Sequence, residues 1–389
     1  MRKNRFILLF LVLVPFAYAQ ELRVSKIAIF GNEKTKAEVI LGAFLEVSEG
    51  DTLSKDQLLA AADLARDRLV ALDYFSSVLV AVIESRTVPG TARIVVEVVE
   101  GFEGRFGGGS VWGMAGLKNF RGEGQDGTFW LGLNRQAAGW TNLAPGWKGG
   151  SWSVEAGNDP VTWTDGSGNF RENQGLGAQV QIGQALGWGW TLEGDQSTRW
   201  ERTDGSGTAM VRTAQGGGLQ WSTAPPGFSP DHGQSANLRV HALFPGPLFR
   251  QEAEAKSYWN LGFGLKAALR VAASTQQGPF DDRDAQVLSG LEGLRKPFDV
   301  SDLARTKVWA SAELRWSTPE WPLLGFTTLV EPALIADAGG AGGDSGSAWD
   351  VGGALRVYWG APVEVPLRLE VTLDNKQRWW TGFGVEAPY

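Results

Sequence analysis

The chain has 389 residues, a net charge of −7, no cysteine and two histidines. Lack of cysteine excludes a disulfide framework and soft thiolate metal sites. The acidic balance argues against a nucleic-acid surface, which needs clustered Lys and Arg, and His232 and His241 lack metal-motif spacing and read as ordinary surface or wall residues.

Arg2, Lys3 and Arg5 precede an apolar run from Phe6 to Phe16, and Ala17-Tyr18-Ala19 follows with small residues. This reads as a secretory signal over residues 1–19, cut after Ala19. A run of about 11 strongly apolar residues is too short to anchor the chain across a ~30 Å hydrocarbon core. Its loss removes three positive charges and takes the net charge to about −10. No later segment holds 18 consecutive apolar residues, so a helical span is not expected.

Residues 20–100 read as a small α/β domain. Arg23 to Phe30 alternates as a strand and Gly31-Asn32 breaks it. Thr35 with Glu38, and later Ser54 with Gln57, have capping-box spacing and predict two helix starts. Leu58, Ala62, Ala65, Leu69 and Leu72 then stripe one helical face. Two strands follow near 77–84 and 92–98, turning at Val88-Pro89-Gly90. The order β-α-α-β-β implies one sheet with a helical layer. Gly31-Asn32 with Thr35, Gly50-Asp51, and Leu72-Asp73-Tyr74-Phe75 ahead of a Val-rich strand resemble the POTRA domain. The resemblance implies a periplasmic domain N-terminal to an outer-membrane barrel, with a sheet edge able to accept an extended client.

Residues 101–389 differ in composition. All eighteen tryptophans and 48 of the 52 glycines lie here. Period-2 alternation recurs: Leu367, Leu369, Val371 and Leu373 against Arg368, Glu370, Thr372 and Asp374, and Trp379, Thr381, Phe383 and Val385 against Trp380, Gly382, Gly384 and Glu386. Alternation alone also fits a soluble sandwich. The signal, the aromatic load and the terminal aromatic Tyr389 point instead to a transmembrane antiparallel β-barrel, which satisfies every backbone group in lipid. Fourteen stretches can be marked, the first at 103–113, the second at 123–139 and the last at 379–389, and 14 to 16 strands are expected. Short turns near 185–187 and 361–362 would lie on the periplasmic side, and long polar stretches at 159–171 and 276–305 outside.

No Ser-His-Asp, Cys-His or phosphate-cradle arrangement appears, so neither an enzyme nor a cofactor is expected. One constellation stands out: Gly293-Leu294-Arg295-Lys296-Pro297-Phe298 in the longest loop, Ala312-Glu313-Leu314-Arg315, and Ile335-Ala336-Asp337-Ala338-Gly339. It resembles the Omp85 superfamily of outer-membrane assembly factors and two-partner secretion transporters. There a long loop folds into the barrel and its arginine meets inward carboxylates. The resemblance assigns a loop lock to Arg295, Asp337 and Glu313. The motif departs from the family at Lys296-Pro297, where relatives carry a single glycine, and at Ile335, where they carry phenylalanine. It also implies a weak seam between the first and last strands, to which Gly382, Gly384 and Tyr389 would belong.

The function expected is insertion, assembly or translocation of β-rich client polypeptides at the bacterial outer membrane. Its partners would be the lipid bilayer, unfolded or nascent outer-membrane or secreted proteins at the POTRA edge and seam, and periplasmic accessory proteins. A passive channel whose POTRA domain docks partners, and a two-partner-secretion-type transporter, are the alternatives.

Overall fold

The computed structural model describes residues 21–385 apart from 102–103, 110–111, 133–135, 144–147, 159–160, 165–169, 203–208, 225–229, 231, 279–285, 288–293, 297–302, 320, 324–325, 343–346 and 360–365. The expected signal at 1–19, Gly293, Pro297-Phe298 and Tyr389 lie outside the described residues.

The N-terminal domain runs β1 (Glu21–Phe30), α1 (Ala37–Leu41), β2 (Thr52–Ser54), α2 (Lys55–Ala71), β3 (Phe75–Glu84) and β4 (Thr91–Glu100). Its sheet order is β2-β1-β4-β3, with β1 and β4 parallel. The stripe on α2 buries Leu58, Ala61, Ala62, Ala65 and Leu69 against Ile94, Val96 and Val98 of β4. Ser54 and Gln57 form the expected capping box. Thr35 and Glu38 do not: α1 begins after Lys36 and has no side-chain cap. The Thr35 hydroxyl is committed elsewhere, donating to Glu100 Oε2 at 3.0 Å and accepting from Asn119 Nδ2 at 2.6 Å. A tertiary contact outcompetes the local cap.

The barrel starts with four short strands, β5 (Gly104–Gly109), β6 (Trp112–Leu117), β7 (Gln125–Gly132) and β8 (Gln136–Asn142). Then come β9 (Gly150–Asn158), β10 (Val161–Thr164), β11 (Phe170–Gly187), β12 (Trp190–Arg202), β13 (Ala209–Ser222) and β14 (Gly233–Phe244). After β15 (Leu248–Gly262) and β16 (Leu265–Gln277), the long loop holds a small hairpin, β17 (Gln286–Val287) with β18 (Leu303–Ala304). The wall ends with β19 (Thr306–Trp316), β20 (Trp321–Leu323), β21 (Phe326–Ala341), β22 (Ser347–Trp359), β23 (Pro366–Asp374) and β24 (Trp379–Val385). One sheet joins eighteen of these segments and closes through β24 and β5. β9 and β10 both pair with β11, and β19 and β20 both pair with β21, so each couple is one interrupted strand. Sixteen wall strands result among the described residues.

The fourteen stretches marked in the sequence fall two short because 103–113 contains β5 and the start of β6, and 123–139 contains β7 and part of β8. These strands are six to eight residues long and glycine-rich, so their alternation is too brief to reveal a reversal.

The wall's outward face is apolar: Leu192, Leu219, Val240, Val351, Leu369 and Phe383 are all exposed. The inward neighbours of Leu369, Arg368 and Glu370, are buried. On β12 the outward Trp190 and Trp200 lie ten residues apart. At ~3.3 Å per residue and a ~40° tilt this spans about 25 Å, the height of a hydrocarbon band with an aromatic at each boundary. No described helix is long and apolar enough to cross a membrane.

Candidate functional site

The loop between β16 and β19 turns inward at Leu294-Arg295-Lys296, and all three residues are buried. Leu294 sits in an apolar pocket with Ala304, Trp309 and Ala341. That contact delivers Arg295 to the interior surfaces of β19, β21 and β23. Its Nη1 donates to Asp337 Oδ1 at 2.7 Å and to Ser311 Oγ at 3.0 Å, and its Nη2 donates to Glu313. Nε lies 3.1 Å from Glu370 Oε1, in ion-pair range but misaligned for a hydrogen bond. The backbone is held as well. Arg295 N–H donates to Asp337 Oδ2 at 3.3 Å, and the Thr372 hydroxyl donates to Arg295 C=O.

The structure thus brings together Arg295, Glu313 and Asp337. It also adds residues that sequence reasoning did not assign to the site. Glu313 is a hub: beside Arg295 it accepts from Arg315 Nε at 2.8 Å and Arg356 Nη2 at 2.7 Å, with Arg368 Nη2 at 3.6 Å. Arg368 in turn pairs with Glu370. Every one of these side chains is at least nine-tenths buried. Alternation marks Arg368 as inward, but a barrel interior is polar in general. Only the register across β19, β21, β22 and β23 shows Arg315, Arg356 and Arg368 converging on one carboxylate. Charged hydrogen bonds of this kind are strong, and a guanidinium fork can bridge carboxylates on separate strands where an ammonium cannot.

Away from this cluster the lumen carries further pairs, Arg239 with Glu193 at 2.8 Å, His241 with Asp195 at 3.1 Å and Lys266 with Glu331 at 3.3 Å. His241 is therefore a wall residue facing the interior. Among the described residues no group of His, Cys, Asp and Glu suits a metal.

Of the seam residues, Gly382 lies in β24 facing inward, where an added Cβ would meet the Trp380 ring at 2.2 Å. Gly384 is in the same strand, opposite Arg368. The ring closes between β5 and β24, and no described side chain of β24 makes a hydrogen bond or an ion pair.

Among the described residues the N-terminal domain meets the near rim of the barrel at three turns, one of them the β8–β9 turn, where Lys148 Nζ donates to Ser48 Oγ at 3.3 Å. At the β6–β7 turn, Asn119 meets Thr35, Lys36 Nζ pairs with Glu123 at 2.5 Å, and Lys118 pairs with Asp73. Gly122 has φ +71° and packs so close that a Cβ there would lie 2.0 Å from Lys34 C=O. At the β11–β12 turn, Trp188 N–H donates to Glu46 Oε1 at 2.6 Å while Arg68 chelates the same carboxylate. α2 thereby overhangs the near mouth, above a cavity of about 420 Å³ shared by Leu64 and Arg68 with Arg239, Glu254 and Tyr258.

Burial acts to raise the pKa of Glu46, but Arg68 and the Trp188 amide outweigh it and hold it below 4.5. A depressed carboxylate pKa contributes stability present above the unfolded value and lost as pH falls through the folded one. The β11–β12 grip is accordingly expected to persist at neutral pH and release on acidification below about pH 4.5. Exchange of the Trp188 amide, followed by mass spectrometry, checks this. Glu46→Ala is expected to speed that exchange about tenfold or more at pH 7, the effect of losing a charge-assisted hydrogen bond of about 1.5–3 kcal/mol.

Residues 22–101 match the POTRA family, described as the surface antigen variable number repeat. No curated protein sequence matches the chain. Among solved structures, the chain is similar to CdiB from Escherichia coli, with a TM-score of 0.64 at 13% identity over 94% of this chain and 75% of that one. It is also similar to BamA from Haemophilus ducreyi lacking POTRA domains 1–3, with a TM-score of 0.55 at 15% identity over 94% and 83%. CdiB from Acinetobacter baumannii gives 0.56 at 13% identity over 94% and 73%. At these identities the likeness is one of fold. The shared fold is one POTRA domain ahead of a β-barrel.

Proposed function

We propose that this chain resides in the bacterial outer membrane with its POTRA domain in the periplasm, and that it assists insertion of β-rich client polypeptides. The observation that carries the reading is the contrast within one ring. Strands β19 to β23 are cross-braced by Arg295 and Glu313, whereas at the closure no described side chain of β24 makes a hydrogen bond or an ion pair. A closure without such braces opens first, because local opening is easiest where cross-strand side-chain contacts are fewest. The β6–β7 turn that grips the POTRA domain lies beside that seam, so the domain can deliver an extended segment to this unbraced closure. In the POTRA sheet, β2 and β3 are the edges open to such a segment. The work is mechanical and calls for no cofactor.

Depleting the protein tests the reading. Loss of several outer-membrane barrel proteins together supports it. Loss of a single secreted polypeptide, with barrel proteins unchanged, replaces it with passage through the lumen. Unchanged clients together with steady ion conductance of the purified protein in a planar bilayer would make it a passive channel.

A further inference from the structure

On the outward wall of β12 and β13, inside the apolar band, Gln196 and Gln215 stand directly opposite each other, both exposed. Thr198 and Thr213 form the next outward pair, their hydroxyls 3.4 Å apart, and Gly194 and Gly217 form the pair on the other side. Around them the same face carries Val180, Leu192, Trp200, Val211, Leu219 and Val240. Gln196 lies four residues inside Trp200, about 10 Å into the band. Among the described residues neither glutamine amide makes a hydrogen bond. A side-chain amide offers two donors and two acceptor sites, so even mutual pairing would leave half of that capacity facing hydrocarbon. Lipid offers nothing to complete it.

A second observation comes from the glycine row. A Cβ built on Gly194 meets nothing nearer than Gly216 C=O at 4.0 Å, and its φ is not in the left-handed region. Neither the chain's own packing nor its backbone explains the glycine. It does leave the wall flat beside the amides, and small residues with polar groups are the composition by which transmembrane helices associate in lipid, where close approach lets polar groups meet.

We infer that this face of β12 and β13 is a homodimer interface, occupied by the same face of a second copy. The occupant follows from the chemistry. A two-fold axis along the membrane normal brings Gln196 of each protomer to Gln215 of the other, and amides are self-complementary donors and acceptors. Closed two-fold association is also the commonest way a surface satisfies itself. The inference rests on the membrane placement proposed above.

The chain has no cysteine, so a single Thr198→Cys variant reports this face alone, with Ala336→Cys on the outward face of β21 as control. Full-length protein is expressed in cells and its membranes are treated with a short bifunctional maleimide rather than oxidised. The two-fold sets residue 198 of one copy opposite Thr213 of the other and one strand spacing from its own equivalent, too far for a direct disulfide. Heat-dependent gel mobility reports whether the barrel is folded. A covalent homodimer from Thr198→Cys and not from Ala336→Cys is expected. Adding Gln196→Leu and Gln215→Leu, or Gly194→Ile, is expected to cut its yield at least tenfold while the folded-barrel band remains, since apolar side chains suit that face. A folded, membrane-borne protein that stays monomeric, or that links at Thr198→Cys to a different polypeptide, overturns the dimer and leaves the placement standing. Recovery of the folded chain in the soluble fraction overturns the placement and the dimer together.

Discussion

Exchanging Glu313 for glutamine is expected to destabilise the folded barrel by about 3–5 kcal/mol, more than Asp337→Asn, because of what each leaves behind. Glu313 is the carboxylate on which Arg295, Arg315, Arg356 and Arg368 converge. Neutralising it puts an amide where four buried guanidiniums shared a carboxylate, with Glu370 still beside Arg295 and Arg368. Asp337 is a different case. It holds Arg295 but stands directly opposite Asp350 on β22, also fully buried, so its neutralisation loses one ion pair and relieves a carboxylate pair. Urea unfolding in detergent micelles, read by loss of the compact gel band, separates the two. Equal midpoints for Glu313→Gln and Asp337→Asn would show that Glu313 is one polar lumen residue among many.

The sequence yielded the two-part architecture for clear physical reasons. A composition step at residue 100 separates an ordinary soluble core from a wall, and strict alternation in β23 and β24 assigns faces. It failed where the signal is local but the winning contact is not. Thr35 has the spacing of a cap, and that spacing cannot reveal that Glu100 and Asn119, 65 and 84 residues away, take its hydroxyl. β5 to β8 were merged into two strands because short glycine-rich segments carry little alternation. Arg295, Glu313 and Asp337 could be named from resemblance. Their number of partners could not. That depends on the register that sets Asp337 opposite Ser311, and on the barrel's curvature, which carries Arg356 of β22 across to Glu313 on β19. Leu294, which seats the loop, looked like any loop leucine.

The sharpest test of function is Arg295→Glu. Reversal sets a new carboxylate against Glu313, Asp337 and Glu370, and the loop is expected to leave the lumen rather than bury four like charges. If the clamp positions the ring for client insertion, assembled client should fall at least tenfold. Asp337→Arg should then restore only part of it, within several-fold of the native level, because it supplies a partner for one of three carboxylate contacts while Glu313 and Glu370 remain opposed to residue 295. Arg295→Lys should fall between these. A lysine retains the charge but cannot span Ser311, Asp337 and Glu313 with a single ammonium. Limited proteolysis of the 278–305 loop on intact cells reports the loop directly. Cleavage that rises in Arg295→Glu and recedes in the double variant, in parallel with client level, ties clamp to function. If cleavage rises while client level holds, the clamp exists but does not govern insertion. The weak closure between β5 and β24 would then act without it.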